Sequence, residues 1–158
     1  MSVPVAVTVA TVEEELPGIR CYAARHGWEV VWNPNEMTLR FLGEHPGDNA
    51  SICLIARPDG YRALPPAWTF EPPSGGEQGH PFFPRSGSGR AGRGSVFHGT
   101  NVICAPFNRL AYKQHGGPHS NWGGPEAWLQ VKGKIRETTL AGMFASILGH
   151  LRDSTGMK

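Results

Sequence analysis

Apolar residues near both ends of the chain recur with the spacing of a helix face. The C-terminal set follows an i, i+3, i+4, i+7, i+8, i+11 pattern: Leu140, Met143, Phe144, Ile147, Leu148 and Leu151. This spacing predicts an amphipathic helix whose stripe faces a core, with Thr138 or Thr139 as its N-cap. A first helix is predicted from Pro17, a residue favoured at the first helical position, to about His26, with Gly27 as its stop.

Between these helices the pattern changes to that of β-strands. Residues 28–43, WEVVWNPNEMTLRFLG, hold two β-rich runs separated by Asn33-Pro34-Asn35, which predicts a hairpin. Residues 50–56 and 67–72 predict a third and a fourth strand. A helix, an antiparallel meander and a final helix together indicate an α+β fold.

The length of 158 residues favours a single domain over residues 1–158, with its core between about 17 and 151. Residues 85–95, RSGSGRAGRGS, carry almost no apolar side chain. Ordering such a segment costs backbone entropy that no burial offsets, so this stretch is predicted to be a flexible glycine-rich insertion.

Charge and cysteine content restrict the class of protein. The net charge is +2 and no block of like charge occurs, so basicity gives no reason to expect a nucleic-acid or membrane partner. The N-terminal stretch is too short and acidic for a signal or membrane helix. Three cysteines, an odd number without a CxxC pair, fit reduced thiols and a cytoplasmic location.

The segment HGTNVICAPFNRLAYKQHGGPHSNWG, residues 98–123, gathers polar and reactive side chains where neither a helix nor a strand is predicted. Cys104 stands where a short apolar run breaks at a proline. A thiol at such an edge can be partly exposed, and nearby imidazoles can hold it as the nucleophilic thiolate. The alternative is a small buried hydrophobe, as expected for Cys53 in its strand and Cys21 in its helix.

The order of features along the chain resembles that of the ubiquitin-conjugating (UBC-like) enzymes. Tyr61 with Pro65-Pro66 matches the family's tyrosine and proline segment after the third strand, and His80-Pro81 matches the start of its His-Pro-Asn motif. Ile103-Cys104 matches the run that presents the catalytic cysteine. Trp122 or Trp128 matches the tryptophan before the C-terminal helices. The resemblance covers about residues 17 to 151 and implies a UBC-like fold with a long active-site loop.

Two departures qualify the resemblance. Phe82 stands where the family has asparagine, so that residue's roles do not carry over, and the interval from Pro81 to Cys104 requires an insertion. In these respects the chain resembles divergent bacterial UBC-like proteins encoded beside a ubiquitin-like protein, an activating enzyme and a metallopeptidase, some of which replace the asparagine with nearby Glu and His residues. The polar segment would then supply the catalytic side chains around Cys104 in place of the family's asparagine. Anti-phage defence is the biological role that this family context suggests.

The resemblance implies that Cys104 accepts a ubiquitin-like C-terminus as a thioester from an activating enzyme and passes it to a nucleophile on a protein target. The side chains expected to assist are His98, His115 and His119 as base or thiolate partner, Asn101 and Asn108 as oxyanion donors, and Glu126 as the carboxylate that orients a histidine. Arg109 and Tyr112 could bind the incoming tail or pack their stems. No cofactor is expected.

Two alternatives use the same residues. Cys104, His98, His115 and His119 are of the right types to bind zinc, although their spacing matches no finger or ribbon. A non-catalytic UBC-like domain that only binds ubiquitin-like proteins is the other alternative, and such domains typically lack the cysteine. The presence of Cys104 after the apolar run favours the enzyme.

Overall fold

The structure, a computed structural model, describes residues 2–76, 80–87, 95–98, 100–131 and 137–158. Its two helices and four strands follow in the order α1 (Val5–Arg25), β1 (Glu29–Asn33), β2 (Thr38–Glu44), β3 (Ser51–Arg57), β4 (Ala67–Glu71) and α2 (Leu140–Asp153). Short 3₁₀ helices at His80–Phe82, Arg109–Ala111, Lys113–His115 and Pro125–Gln130 lie between β4 and α2. The chain is therefore an α+β protein, as its sequence pattern predicts.

Helix α1 begins twelve residues before the predicted start at Pro17, at Val5, so that prediction was wrong. Buried positions at Thr8 and Val12 extend the apolar face toward the N-terminus. Proline has no N–H, so Pro17 cannot bond the Glu13 carbonyl one turn earlier. Because Pro17 is exposed, this carbonyl lies on the solvent side of the helix. The predicted stop is confirmed, because Gly27 follows the last turn with a left-handed φ of 77°.

The four strands form one antiparallel sheet in the order β1-β2-β3-β4, each strand paired with the next. Gly43 on β2 is required by a close approach, since a Cβ there would overlap the indole ring of Trp28. β4 is an edge strand, so the outward-facing backbone groups of its residues need partners from outside the sheet.

Helix α2 packs its apolar stripe against the sheet, and the Phe144 ring stacks on Phe41 with centroids 4.5 Å apart. Thr139 is its N-cap and accepts a hydrogen bond from the Gly142 amide at 3.1 Å, as the sequence predicts. The Glu15 carboxylate on α1 accepts a second one from the Leu140 amide at 2.8 Å. This contact joins the two helices because a carboxylate at a helix N-terminus satisfies unpaired amides.

Part of the predicted glycine-rich insertion, residues 88–94, lies outside the described residues. Among the residues that are described, no helix is long and apolar enough to span a membrane.

Candidate active site

Cys104 lies at the end of a short bridged hairpin. Phe97 and Ile103 form an antiparallel bridge, and the Cys104 amide donates a 2.8 Å hydrogen bond to the Val96 carbonyl. The Ala105 amide bonds back to the Ile103 carbonyl at 3.0 Å, which makes Cys104 the central residue of a γ-turn. The buried side chains of Phe97 and Ile103 anchor both arms, so the backbone of Cys104 is fixed on each side.

The Cys104 side chain is half-buried, and this burial raises the pKa of its thiol above the ordinary value. The sequence predicted a thiolate stabilised by neighbouring imidazoles. In the structure burial dominates instead, so the protonated thiol is favoured at neutral pH.

The other two cysteines differ from Cys104 and from each other. Cys53 on β3 is buried, as predicted, whereas Cys21 on α1 is exposed. The expectation that Cys21 is shielded beside the core was therefore wrong. It lies two residues after the buried Ile19, which places it about 200° around the helix on the opposite face.

Asn108 is completely buried and makes four side-chain hydrogen bonds. Its oxygen accepts from the amides of Trp68, at 2.9 Å, and Leu110, at 3.2 Å. Its nitrogen donates to the carbonyls of Trp68, at 3.3 Å, and Ile103, at 2.9 Å. The amide thus pairs with the free edge of β4 as another strand would and holds the residue before Cys104.

These bonds change the interpretation of Asn108. Both of its N–H groups are occupied by backbone carbonyls, so neither is free for the oxyanion contact that the sequence predicted. Asn108 acts instead as a turn cap, because its side-chain oxygen also caps the 3₁₀ helix Arg109–Ala111.

Arg109 and Tyr112 are also held by the protein itself. The Arg109 guanidinium is nearly buried and donates to the backbone carbonyl and the carboxylate of Asp59, each at 2.8 Å. The buried Tyr112 hydroxyl donates to the Pro106 carbonyl at 2.7 Å, and burial raises its pKa to about 12. Both residues brace the segment that follows Cys104, so neither is free to bind an incoming tail.

Asn101 keeps the donor capacity that Asn108 lacks. It is exposed, adopts a left-handed φ of 58°, and its side-chain oxygen accepts a 2.7 Å hydrogen bond from the Lys158 ammonium. Within the described part of the chain its side-chain N–H groups have no partner. Asn101 lies three residues before Cys104 and remains available as an oxyanion donor.

His98 belongs to the same hairpin as Cys104. It is exposed, and its Nε2 lies 2.7 Å from the Ser95 carbonyl, to which it must donate because a carbonyl only accepts. In the neutral ring this leaves the Nδ1 lone pair free to accept a proton.

His115 and His119 lie on the segment after Cys104. His115 is exposed at the end of a 3₁₀ helix, and its ring makes no hydrogen bond with the described residues. His119 is half-buried and stacks on Trp122 with centroids 3.7 Å apart and an interplanar angle of 4°. Its backbone pairs with that of Tyr112 in a parallel bridge. This stack fixes the His119 ring on an aromatic surface.

Glu126 is exposed in the first turn of the 3₁₀ helix Pro125–Gln130. Its carboxylate lies over Gly124, where a Cβ would overlap it. It makes no hydrogen bond or ion pair within the described ranges, so the predicted contact between Glu126 and a histidine is not formed.

The zinc alternative is not supported by the arrangement of the side chains. Across the described residues, no three His, Cys, Asp or Glu side chains are grouped so that they could hold a metal ion. The set of Cys104, His98, His115 and His119, all of them described, is therefore not assembled as a ligand sphere.

Sequence reasoning missed Lys158, the residue that binds Asn101. The two are 57 positions apart, and the contact depends on how the C-terminus returns to the hairpin. No periodicity or motif indicates it. Sequence reasoning also missed the Ser95 carbonyl that accepts a hydrogen bond from His98, because every residue has a backbone carbonyl and the amino-acid sequence does not indicate which one binds a side chain.

Comparisons with protein families, with curated proteins and with solved structures found no match to this chain. Its own residues and geometry are therefore the basis for assigning a function.

Proposed function

We propose that the chain is a ubiquitin-like-protein conjugating enzyme with Cys104 as its acyl-carrying nucleophile. Cys104 takes a ubiquitin-like C-terminus from an activating enzyme as a thioester and transfers it to a nucleophile on a protein target. The observation that carries the proposal is the place of Cys104: a half-buried thiol at the centre of a γ-turn, held by a bridged hairpin in which the Asn101 side-chain N–H groups have no partner among the described residues.

The contacts between distant parts of the chain support the resemblance to UBC-like enzymes. The Tyr61 hydroxyl donates to the Thr138 carbonyl at 3.2 Å, and the buried Trp128 indole donates to the Arg62 carbonyl at 3.0 Å. The tyrosine and proline segment, the tryptophan and the start of α2 thus pack together. Trp128 is buried and Trp122 is half-buried, which supports Trp128 as the counterpart of the family's tryptophan.

The raised pKa of Cys104 suits a carrier of acyl groups. A thiol of high pKa forms a thiolate that is intrinsically more nucleophilic and leaves less readily. The thioester on Cys104 would therefore resist loss to weak nucleophiles, while loading would depend on removal of the thiol proton. Loading forms the new carbon–sulfur bond, expels the activating enzyme's thiolate and sends the Cys104 proton to a base or to solvent.

Transfer would use the remaining groups of the hairpin. As the incoming nucleophile attacks, the carbonyl oxygen gains negative charge, and the free N–H groups of Asn101 can donate to it. His98 can take the proton from the nucleophile at Nδ1. Collapse of the intermediate then releases the Cys104 thiolate and leaves the acyl group on the target.

The test is reconstitution with the ubiquitin-like protein and activating enzyme of the same pathway and ATP. We expect an adduct that added thiol cleaves. Cys104→Ala should abolish it, and Cys104→Ser should give an oxyester that thiol does not cleave, because an alkoxide leaves less readily than a thiolate. Cys21→Ser is the matched control, since Cys21 is the more exposed thiol.

The histidines are separated by following loading and discharge independently. His98→Ala should leave loading intact and slow discharge by about 10²–10⁴-fold, the loss expected for a general base. His115→Ala is the matched control on an exposed histidine whose ring makes no hydrogen bond with the described residues, and His119→Ala tests the stacked ring. An adduct that persists in Cys104→Ala contradicts the proposal, and binding of the ubiquitin-like protein without any adduct would favour a non-catalytic module.

A further inference from the structure

The last five residues, Ser154–Lys158, form a segment that we name the C-terminal strap. It returns from the end of α2 and pairs with the chain beyond β4. The Arg85 amide donates to the Gly156 carbonyl at 2.8 Å, and the Lys158 amide donates to the Phe83 carbonyl at 3.0 Å. Met157, bridged to Pro84, is buried. The strap is thus packed and hydrogen-bonded as part of the folded structure.

A second set of contacts fixes the strap to the turn between β2 and β3. The Met157 amide donates to Asp48 at 2.9 Å, and this hydrogen bond is the main cause of the lowered pKa of the Asp48 carboxyl. Gly156 has a φ of 127°, and a Cβ there would lie 2.6 Å from the Asp48 carboxylate. Ser154 is buried against His45, whose Nε2 it contacts. Glycine is therefore needed at 156 for the strap to pass this turn.

The end of the strap reaches the hairpin that carries Cys104. The Lys158 ammonium lies 2.7 Å from the Asn101 side-chain oxygen and 5.3 Å from the centroid of the Phe83 ring. An ammonium only donates, so it selects the oxygen of the Asn101 amide and leaves the N–H groups directed away from itself. Lys158 consequently fixes both the place and the orientation of that amide.

We propose that Lys158 is a positioning residue for Cys104. The C-terminal strap then holds the hairpin in the conformation in which Cys104 accepts and transfers the acyl group. Its catalytic consequence rests on the proposed function, through the Asn101 amide that would meet the oxyanion. Asparagine tolerates the left-handed backbone found at Asn101, but that backbone does not fix the side-chain amide, which is held by its contact with Lys158.

Lys158 acts through position rather than through its charge on the thiol. The pKa of Cys104 is raised by burial, and no charged neighbour among the described residues contributes to that shift. Removing the ammonium should therefore loosen the hairpin and leave the pH midpoint of Cys104 reactivity unchanged or lower, since greater exposure reduces the effect of burial on the thiol. An electrostatic role would move that midpoint upward instead.

The first experiment measures iodoacetamide alkylation of Cys104 against pH in a Cys21→Ser background. Lys158→Met removes the donor, Lys158→Arg keeps one, and Lys113→Met is a control at an exposed lysine. We expect Lys158→Met to raise the alkylation rate about 3- to 10-fold, as for loss of one hydrogen bond, with a pH midpoint that does not rise. Lys158→Arg should stay within about twofold of the parent, and Lys113→Met should match it.

An unchanged alkylation rate in Lys158→Met, or an equal increase in Lys113→Met, would overturn the proposal that the strap fixes the hairpin. The second experiment measures thioester loading, for which we expect kcat to fall about 3- to 10-fold in Lys158→Met with KM within about twofold. An unchanged kcat would overturn the positioning role. If the parent protein does not load at all, the proposed function fails, and the alkylation result still decides whether the strap holds the hairpin.

Discussion

Replacing Asn108 by alanine is the sharpest test of how the fold supports the Cys104 hairpin. Asn108 is completely buried and its amide bonds the edge of β4, the Ile103 carbonyl and the Leu110 amide. Alanine removes all four bonds and leaves a cavity the size of the amide. A buried backbone group without a partner costs about 1–3 kcal/mol.

The expected loss in the free energy of unfolding depends on which of the four backbone groups are buried away from water. The Trp68 amide and the Ile103 carbonyl have the two shortest bonds, at 2.9 Å each, and belong to buried residues. The Trp68 carbonyl bond is longer, at 3.3 Å, and Leu110 is half-buried, so these two contribute less. Counting about 1.5 kcal/mol for each of the first two gives a loss of about 3 kcal/mol in the free energy of unfolding.

The assay is urea and thermal unfolding followed by circular dichroism, with Asn121→Ala, an exposed asparagine in the same long loop, as the matched control. For a chain of this length, about 3 kcal/mol corresponds to a fall in Tm of about 6–12 °C. Asn108→Asp should be at least as destabilising as Asn108→Ala at neutral pH, because it buries a carboxylate with one oxygen facing the Trp68 and Ile103 carbonyls. If Asn108→Ala unfolds within about 0.5 kcal/mol of the control, the bracing role of Asn108 is refuted.

Three further outcomes are expected. Iodoacetamide should label Cys21 first, Cys104 next and Cys53 last in peptide maps of the native protein, and faster labelling of Cys53 would contradict the exposures. The free energy of unfolding should fall as pH rises above about 8.5. Burial raises the folded-state pKa of the Cys53 and Cys104 thiols, and it raises that of Tyr112 to about 12, so the unfolded chain loses these protons first. A free energy of unfolding that stays constant or rises over this alkaline range, measured by urea titration, would refute this prediction. Arg109→Met should lower the free energy of unfolding by about 1–2 kcal/mol, because two partly buried hydrogen bonds to Asp59 are lost, and a change below about 0.5 kcal/mol in the same titration argues against the brace.

The elements that the sequence predicts well are those with a local, repeated pattern. The strands and α2 agree with their apolar spacing within a residue or two, because burial of one face specifies both the periodicity and the structure. The start of α1 was wrong because Pro17 was interpreted as a helix start, whereas Val12 and Thr8 already continue the buried stripe. The exposure of Cys21 follows from the same helical phase and could have been predicted.

The candidate site was predictable as a region but not as a set of contacts. The polar composition of residues 98–123 indicated where Cys104, His98 and Asn101 lie. The roles of Asn108 and Lys158 depend on partners 40 and 57 positions away, Trp68 and Asn101. Side-chain bonds to a strand edge or to a returning terminus are set by tertiary packing, so no sequence spacing encodes them.

In the proposed function Cys104, not the most exposed thiol, carries the acyl group. The direct measurement is to load the unmodified protein with the ubiquitin-like protein, activating enzyme and ATP, block free thiols, and map the loaded cysteine by mass spectrometry. Since Cys21 is exposed and Cys104 half-buried, chemical accessibility alone would favour Cys21. We expect the thioester on Cys104, and a thioester found on Cys21 or spread over both thiols would contradict the proposed function.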